Sequence, residues 1–194
     1  SLRSPALFRT QLRAILRAST LGDVRVLFPL VSTLGEFRQA RAVLDDVASE
    51  LNAEGIAVRA DLPVGVMVAP IIPQLNDRDL EAILDAAAAN GAGSAGWMLI
   101  RLPREVAPLF REWLDAHYPQ RAEHVMSLIR QMRGGRDYDA TFGTRMRGEG
   151  EFAALFEKRF GIACRRLGLN RGREQTGLDT SRFRAPARAN DARQ

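Results

Sequence analysis

LPVGVMVAP, residues 62–70, is the stretch that decides the fold of this chain. It is apolar, partly β-branched and interrupted by proline near each end, a pattern typical of a short strand buried in a parallel sheet. Residues 24–30 (VRVLFPL) and 96–102 (GWMLIRL) have the same character and predict two more strands. Helical patterns separate the three runs, so the order of elements predicts an α/β fold with right-handed crossovers. Three strands are too few to close a barrel and would leave two sheet edges unpaired.

Local signals mark where the helices begin and end. Pro5 follows Ser4 at a first helical position, and Thr33 with Glu36 forms a capping box at the start of a second helix. Gly55 predicts the end of that helix, because glycine adopts the left-handed conformation of a helix C-cap without strain. The later helices are predicted to begin after Asn76, at Pro103, at Pro119 and at Phe152.

The charge of the chain is concentrated in a basic tail. Residues 165–194 contain eight arginines and three acidic residues, an excess equal to the net charge of +5 of the whole chain. Residues 1–164 are therefore balanced, which argues against a broad nucleic-acid face and leaves the tail as a candidate phosphate contact. The sequence lacks periodicity after Leu169, and residues 170–194 are predicted to be disordered. No apolar run reaches the roughly 18 residues required to cross a bilayer, so we expect no membrane contact.

Cys164 is the single cysteine of the sequence. A lone cysteine excludes an intrachain disulfide and a thiolate metal cage, and it suits a reducing cytoplasm. Its apolar helical neighbours predict a small buried residue rather than a nucleophile. His117 and His124 are separated by Pro119, so they do not share one helix face and predict no metal pair. The chain does not begin with methionine, which we interpret as a fragment or a processed product.

Three stretches carry a first resemblance: LFRTQLRAILRAS (7–19), GDVRVLFPLVSTLGEFRQAR (22–41) and LPVGVMV (62–68). Together, residues 5–68 resemble part of the C-terminal domain of Enzyme I, the phosphoenolpyruvate-protein phosphotransferase of the bacterial sugar phosphotransferase system. The resemblance implies a (βα)8 barrel that binds phosphoenolpyruvate and Mg²⁺.

This sequence departs from that family at the metal site. The family has a metal-ligand glutamate after the GVMV-type strand, whereas this chain has Ala69, which lacks the oxygen ligand that Mg²⁺ requires. The family's paired Asn-Asp, its later arginine and its cysteine acid have no counterpart downstream, and its phosphorylated histidine belongs to another domain. No catalytic residue is carried over, and we expect Arg25 and Met67 to have strand-end and core roles.

A second resemblance is carried by residues 64–103, by residues 104–150 and by ACRRLGLN (163–170). Residues 64–185 resemble the C-terminal part of a radical S-adenosylmethionine (radical SAM) protein of the group related to spore photoproduct lyase. That resemblance implies a partial (βα)6 barrel with a [4Fe-4S] cluster and S-adenosylmethionine. The cluster needs three thiolates, which a chain with one cysteine does not supply. The cofactor-binding candidates that the resemblance implies follow the second strand: Val68, Ala69, Pro70, Ile72, Pro73, Asn76 and Asp77. The alternative for Asn76 and Asp77 is a helix N-cap with a favourable acid.

Residues 133–150 form the most distinctive loop of the sequence. Its arginines lie among aromatic residues and glycines, a composition that suits phosphate and base contact. The candidate nucleic-acid or phosphate contacts are Arg133, Arg136, Arg145 and Arg147. The alternative is a surface loop that packs under the barrel through Phe142 and Met146.

Both resemblances meet inside residues 61–70, so we interpret the chain as a chimera of two half-enzymes. The expected fold is α/β, with parallel βα units forming part of an incomplete TIM-type barrel, extra C-terminal helices and the basic tail. The expected divisions are residues 1–63, 64–169 and 170–194. The favoured function is a truncated radical SAM protein that is inactive alone. The alternatives are an Enzyme I fragment and a nucleic-acid-binding accessory, and missing barrel strands or a second copy are expected to cover the sheet edges.

Overall fold

A computed structural model describes residues 5–22, 24–28, 33–59 and 61–171. The predicted disordered tail, residues 170–194, lies outside this range except for residues 170 and 171. The elements, in chain order, are α1 (Pro5–Ala18), α2 (Leu34–Ala53), β1 (Gly65–Ile71), a 3-10 turn (Asp77–Asp79), α3 (Leu80–Ala89), β2 (Ser94–Leu99), α4 (Val106–His117), α5 (Ala122–Gln131), α6 (Thr144–Arg147) and α7 (Gly150–Leu167). Within the described residues, no helix is long and apolar enough to cross a membrane.

The sheet of the described residues has two parallel strands, β1 and β2, with Gly65 opposite Ser94 and Val68 opposite Trp97. The mixed α/β class is confirmed, but an incomplete barrel is not shown. The strand predicted at residues 24–30 is described only over 24–28, where it forms one parallel bridge between Val26 and Val64. Extending this bridge toward the N-terminus would require an N–H donor at position 63, and Pro63 has none.

Helices α1 and α2 pack on each other around an N-terminal core. Its buried side chains repeat at helical spacing on both helices and include Phe8, Leu12, Leu16, Ala40, Leu44, Val47 and Leu51, with Val26 and Leu62. The capping box is confirmed, since the Glu36 N–H donates to Thr33 Oγ1 at 3.2 Å and the Thr33 N–H donates to Glu36 Oε2 at 3.1 Å. Gly55 follows α2 with a φ of +77°, the left-handed value that the sequence predicts there.

The rest of the chain has its own core on one face of the sheet. Val68, Ile71, Trp97 and Leu99 pack against α3 and α7, and a neighbouring apolar cluster lies between α4, α5 and the segment that follows β2. Cys164 is buried in this core, and burial raises the pKa of its thiol. The prediction that Cys164 is a buried residue is therefore confirmed.

The two cores meet within residues 62–68. Leu62 belongs to the N-terminal core and Val68 to the sheet core. Besides the Val26–Val64 bridge, a hydrogen bond from Arg38 Nε to Asn90 Oδ1, at 3.2 Å, joins the two parts. Because burial of apolar surface is the main source of stability, each part contains its own stabilising core.

Candidate functional site

The segment after β1 contains the seven cofactor-binding candidates. Val68 and Pro73 are buried and Ile72 is half-buried, whereas Ala69 and Pro70, joined by a cis peptide bond, are exposed. In open parallel sheets, ligands bind beyond the carboxyl ends of the strands, which is where this segment lies. Exposure leaves Ala69 and Pro70 accessible, but neither side chain carries a polar group.

Asn76 is used to close its own loop. Its Oδ1 accepts a hydrogen bond from the Ile72 N–H at 2.7 Å, and its Nδ2 donates to the Pro70 carbonyl at 2.9 Å. It occupies the N-cap position of the 3-10 turn, with Asp77 in the first turn as the alternative predicts, but its side chain makes no capping hydrogen bond. The side-chain amide instead pairs with the Ile72 N–H and the Pro70 carbonyl inside the loop, so both its oxygen and its nitrogen are occupied.

Asp77 lies beside an arginine that the sequence analysis does not identify. Arg159, on α7, makes two hydrogen bonds to the Glu81 carboxylate, at 2.8 and 2.7 Å, and Nη2 donates to the Asp77 carbonyl at 2.8 Å. The Asp77 carboxylate is 3.8 Å from Arg159 Nη1. The hydrogen bond from Arg159 lowers the pKa of Glu81. These contacts tie the loop and α3 to α7.

A second residue missed by the sequence analysis is Asn170, at the end of α7. Its Oδ1 accepts from the Ala95 N–H at 2.9 Å, and its Nδ2 donates to the Ala95 carbonyl at 3.1 Å. Its own N–H donates to the Gly93 carbonyl at 3.0 Å. One amide side chain thus satisfies both backbone groups of Ala95 on the edge of β2, although we predict the tail to begin at residue 170. No local sequence pattern reveals this contact, because its partners are 75 residues apart.

The residues around this segment do not fit the metal centres that the two resemblances imply. Ala69 has no ligand oxygen, and the side chains of Asn76 and Asp77 already make the contacts described above. In the part of the chain that the structure describes, no group of three or more histidine, cysteine, aspartate or glutamate residues is arranged to hold a metal ion. Cys164 is buried in the core, so it does not reach an open site.

Arg133 is the most buried of the four candidate phosphate contacts, with 4% of its surface exposed. Its Nη1 donates to the carbonyls of Thr144 and Arg145, at 3.1 and 2.8 Å, and its Nη2 donates to the Ile100 carbonyl at 3.0 Å. Burial lowers its pKa. The structure therefore gives Arg133 a structural role in place of the predicted phosphate contact, because its terminal nitrogens hold the loop on the end of the sheet.

The other three candidate arginines of the loop differ in how many contacts they make with neighbouring side chains. Arg147 lies over the Trp97 ring, 4.5 Å from its centre, and pairs with Glu157 at 3.1 Å. Arg145 lies 5.3 Å from the centre of the Phe142 ring, and Arg136 is exposed. Arg136 and Arg145 are thus the candidates that remain available to an anion.

Phe142 projects from the loop with 87% of its surface exposed. The alternative that it packs under the sheet is therefore wrong. The loop that carries it is held by Asp139, which accepts hydrogen bonds from Thr144 Oγ1 at 2.5 Å and from the Thr141 N–H at 2.9 Å. These hydrogen bonds lower the pKa of Asp139 to about 2. An exposed aromatic ring is thereby presented on an internally bonded loop.

Comparison with known proteins identifies only the first part of the chain. The family model of the PEP-utilising enzyme, PEP-binding domain matches residues 1–76. A phosphoenolpyruvate-protein phosphotransferase of Streptococcus equinus is 52% identical over 63 residues, which is 32% of this chain and 11% of that protein. That of Latilactobacillus sakei is 52% identical over 68 residues, 35% of this chain and 12% of the relative. That of Bacillus subtilis is 46% identical over 67 residues, 34% of this chain and 12% of the relative.

The chain therefore spans only 11–12% of the length of these relatives. No solved structure matches it. The matches give no support to the radical SAM resemblance of residues 64–185. Residues 1–76 are similar to the PEP-binding domain of PEP-utilising enzymes, and in particular to phosphoenolpyruvate-protein phosphotransferases.

Proposed function

We propose that this chain is a fragment of the phosphoenolpyruvate-protein phosphotransferase lineage, and that residues 5–68 contribute a structural βα unit of its PEP-binding domain. The observation that supports this proposal best is the separate N-terminal core, which extends from Phe8 to Leu62 and lies within the matched segment, residues 1–76. A βα unit with its own core keeps its shape in a new context, because its apolar surface is buried internally.

The proposal also concerns phosphate transfer, which the isolated chain is not expected to catalyse. Phosphoenolpyruvate and Mg²⁺ are the ligands implied by the resemblance, but Ala69 stands where the family has a carboxylate ligand. Without that oxygen, Mg²⁺ lacks a protein ligand at the end of β1. We therefore expect the isolated chain to act as a scaffold segment and not to transfer phosphate by itself.

Calorimetric titration of phosphoenolpyruvate into the full chain tests this proposal, with and without MgCl2. We expect no Mg²⁺-dependent heat and no release of pyruvate, while a complete phosphoenolpyruvate-protein phosphotransferase serves as the positive control. Saturable binding that requires Mg²⁺ would contradict the scaffold role. The variant Ala69→Glu restores a carboxylate at this position, so a gain of Mg²⁺ affinity in that variant alone would support the argument from Ala69.

Among the two enzyme interpretations, we favour this one over a radical SAM fragment. A [4Fe-4S] cluster requires several cysteine thiolates, and the sequence has only the buried Cys164. Anaerobic reconstitution with iron and sulfide provides the test. Stoichiometric uptake of four irons per chain would reverse our preference.

We also propose, as a second candidate function, that the loop around Phe142 contacts single-stranded nucleic acid. Phe142 presents one ring face to solvent while Arg145 lies against the ring, and Arg136 is exposed nearby in the sequence. Bases stack on exposed aromatic rings, and arginines contact the phosphates. The exposure of Phe142 is the specific observation that favours this function.

Fluorescence anisotropy with a labelled single-stranded RNA tests this second function at several salt concentrations. If the loop binds RNA, Phe142→Ala weakens binding by about 1–3 kcal/mol, the usual contribution of one stacked base. Phe142→Tyr keeps the ring and serves as the matched control. Binding that does not depend on salt, or that is equal in Phe142→Ala, would exclude a stacking role.

A further inference from the structure

Helix α4 exposes a stripe of apolar side chains that none of the described elements covers. Val106, Leu109 and Trp113 follow one another at spacings of three and four residues, and Tyr118 comes directly after the helix. Leu109 is 60% exposed and Trp113 is 40% exposed. Large apolar side chains that form a continuous exposed patch mark sites of interaction more often than isolated ones do. We refer to these four residues as the α4 stripe.

The aromatic rings of the stripe already contact other rings of the same chain. The Trp113 ring is stacked on Phe110 with 5.7 Å between ring centres, and it contacts the rings of His117 and Tyr118 at 5.4 and 5.3 Å. Leu114, the residue after Trp113, is fully buried against α5, which fixes the helix. Because the rings already contact one another, binding of a partner would cost little side-chain entropy.

Two acidic side chains lie beside Leu109 of the stripe, although the chain as a whole is basic and the exposed Arg104 precedes the helix. Glu105 and Glu112 are exposed and lie four residues before and three residues after Leu109, positions that are neighbours on a helix surface. Within the described residues, neither carboxylate has an ion-pair partner. Arg111, on the side of α4 away from Trp113, is paired with Asp137. The free charges next to Leu109 are therefore carboxylates.

We infer that the α4 stripe is a docking surface for a basic amphipathic helix of another protein. The apolar face of such a helix would cover Leu109 and Trp113, and its lysines or arginines would face Glu105 and Glu112. The same carboxylates disfavour binding of a second copy of the chain, of nucleic acid or of an anionic membrane. Pairing of two copies through this stripe would bring like charges together, and nucleic acid or an anionic membrane surface would be repelled.

The test uses two fluorescein-labelled model peptides with the full chain. One has leucine and lysine arranged at helical spacing, and the other has glutamate in place of every lysine. We expect the leucine–lysine peptide to bind and the leucine–glutamate peptide not to bind. We expect Trp113→Ala to weaken binding at least about tenfold, as is typical of a central aromatic anchor. The double variant Glu105→Gln/Glu112→Gln should weaken binding a few-fold at low salt and have no effect at high salt.

Leu155→Ala is the matched control, because Leu155 is also an exposed apolar residue but lies on α7. It should leave peptide binding unchanged. Circular dichroism verifies that each variant is folded, and Leu109→Ala repeats the test if Trp113→Ala does not fold. Equal binding of both peptides, or unchanged binding by folded Trp113→Ala or Leu109→Ala, would overturn the proposal. Sedimentation that depends on concentration in the parent chain but not in Trp113→Ala would also overturn it, in favour of self-association.

Discussion

The two parts of this molecule, residues 5–62 and residues 64–171, each have an apolar core but differ in where their long-range polar contacts lie. In the first, the salt bridges that join α1 to α2, from Arg9 to Glu50 and from Arg13 to Glu54, are exposed. In the second, partly buried side chains reach across long stretches of sequence, as Arg159 does to Glu81 and Asn170 to Ala95. Arg133, predicted as a phosphate contact, belongs to the second kind, because it donates to the Ile100 carbonyl 33 residues away.

Arg133→Met should have the largest effect on stability, and it should be confined to the second part. The substitution leaves the carbonyls of Ile100, Thr144 and Arg145 without their donor, which should cost about 3 kcal/mol of unfolding free energy. Urea unfolding followed by tryptophan fluorescence is the measurement, since both tryptophans, Trp97 and Trp113, lie in this part.

Arg136→Met is the matched control for that variant. Arg136 is exposed in the same loop, so its replacement should change stability by no more than about 0.5 kcal/mol. Equal effects of the two substitutions would mean that the buried guanidinium does not hold the loop.

Asn170→Leu should have the next largest effect. It removes the two side-chain hydrogen bonds to Ala95 while keeping a similar volume, and we expect a loss of about 2 kcal/mol. Tryptophan fluorescence in urea measures this loss, and hydrogen exchange at the Ala95 amide locates it. If the Ala95 amide stays as protected as before, the side chain of Asn170 is not what satisfies the edge of β2.

Thr33→Ala tests how independent the first part is. The substitution removes the capping box of α2 and should cost about 1 kcal/mol. If the two cores unfold separately, the far-UV circular dichroism transition shifts, but the tryptophan transition does not. Gln39→Ala, at an exposed position inside α2, is the control. Parallel shifts of both signals would show that the two parts unfold as one unit.

Asp139→Asn should change the pH dependence of the loop around Phe142 and have the smallest effect near neutral pH. The pKa of Asp139 is lowered from 3.8 to about 2, mainly by hydrogen bonds from Thr144 and Thr141. A lowered pKa in the folded state stabilises the fold above pH 3.8, and this contribution is lost as the pH falls toward 2. NMR titration of the loop amides measures the change. An identical titration in Asp139→Asn would contradict the assigned role.

The predictions from sequence succeeded where the determining contacts are local. The capping box at Thr33, the end of α2 at Gly55 and the buried character of Cys164 all follow from residues within a few positions of one another. The strand at residues 65–71 is also found where its apolar pattern predicts it. These features depend on backbone geometry and on periodicity, which a sequence displays directly.

The candidate site was predicted less well because a local sequence pattern does not show which partners its polar side chains have. Asn76 and Arg133 have the residue types of a cofactor or phosphate site, but the side-chain amide of Asn76 and the two terminal nitrogens of Arg133 are occupied by backbone carbonyls and amides. Composition describes which groups a segment offers, but it does not show which of them are already satisfied. Phe142 shows the same limit for apolar residues, because the sequence left open whether its ring packs inward or faces solvent, and the ring is exposed.

The sequence by itself determined the order of β1, β2 and the longer helices, the caps of α2, the placement of net charge in the tail and the similarity of residues 1–76 to a PEP-binding domain. Only the tertiary structure decided which polar side chains remain free and which apolar side chains of α4 remain uncovered. The reason is that periodicity and capping act over one or two helical turns, whereas satisfaction of a hydrogen bond or burial of a ring depends on partners that can lie 75 or more residues away.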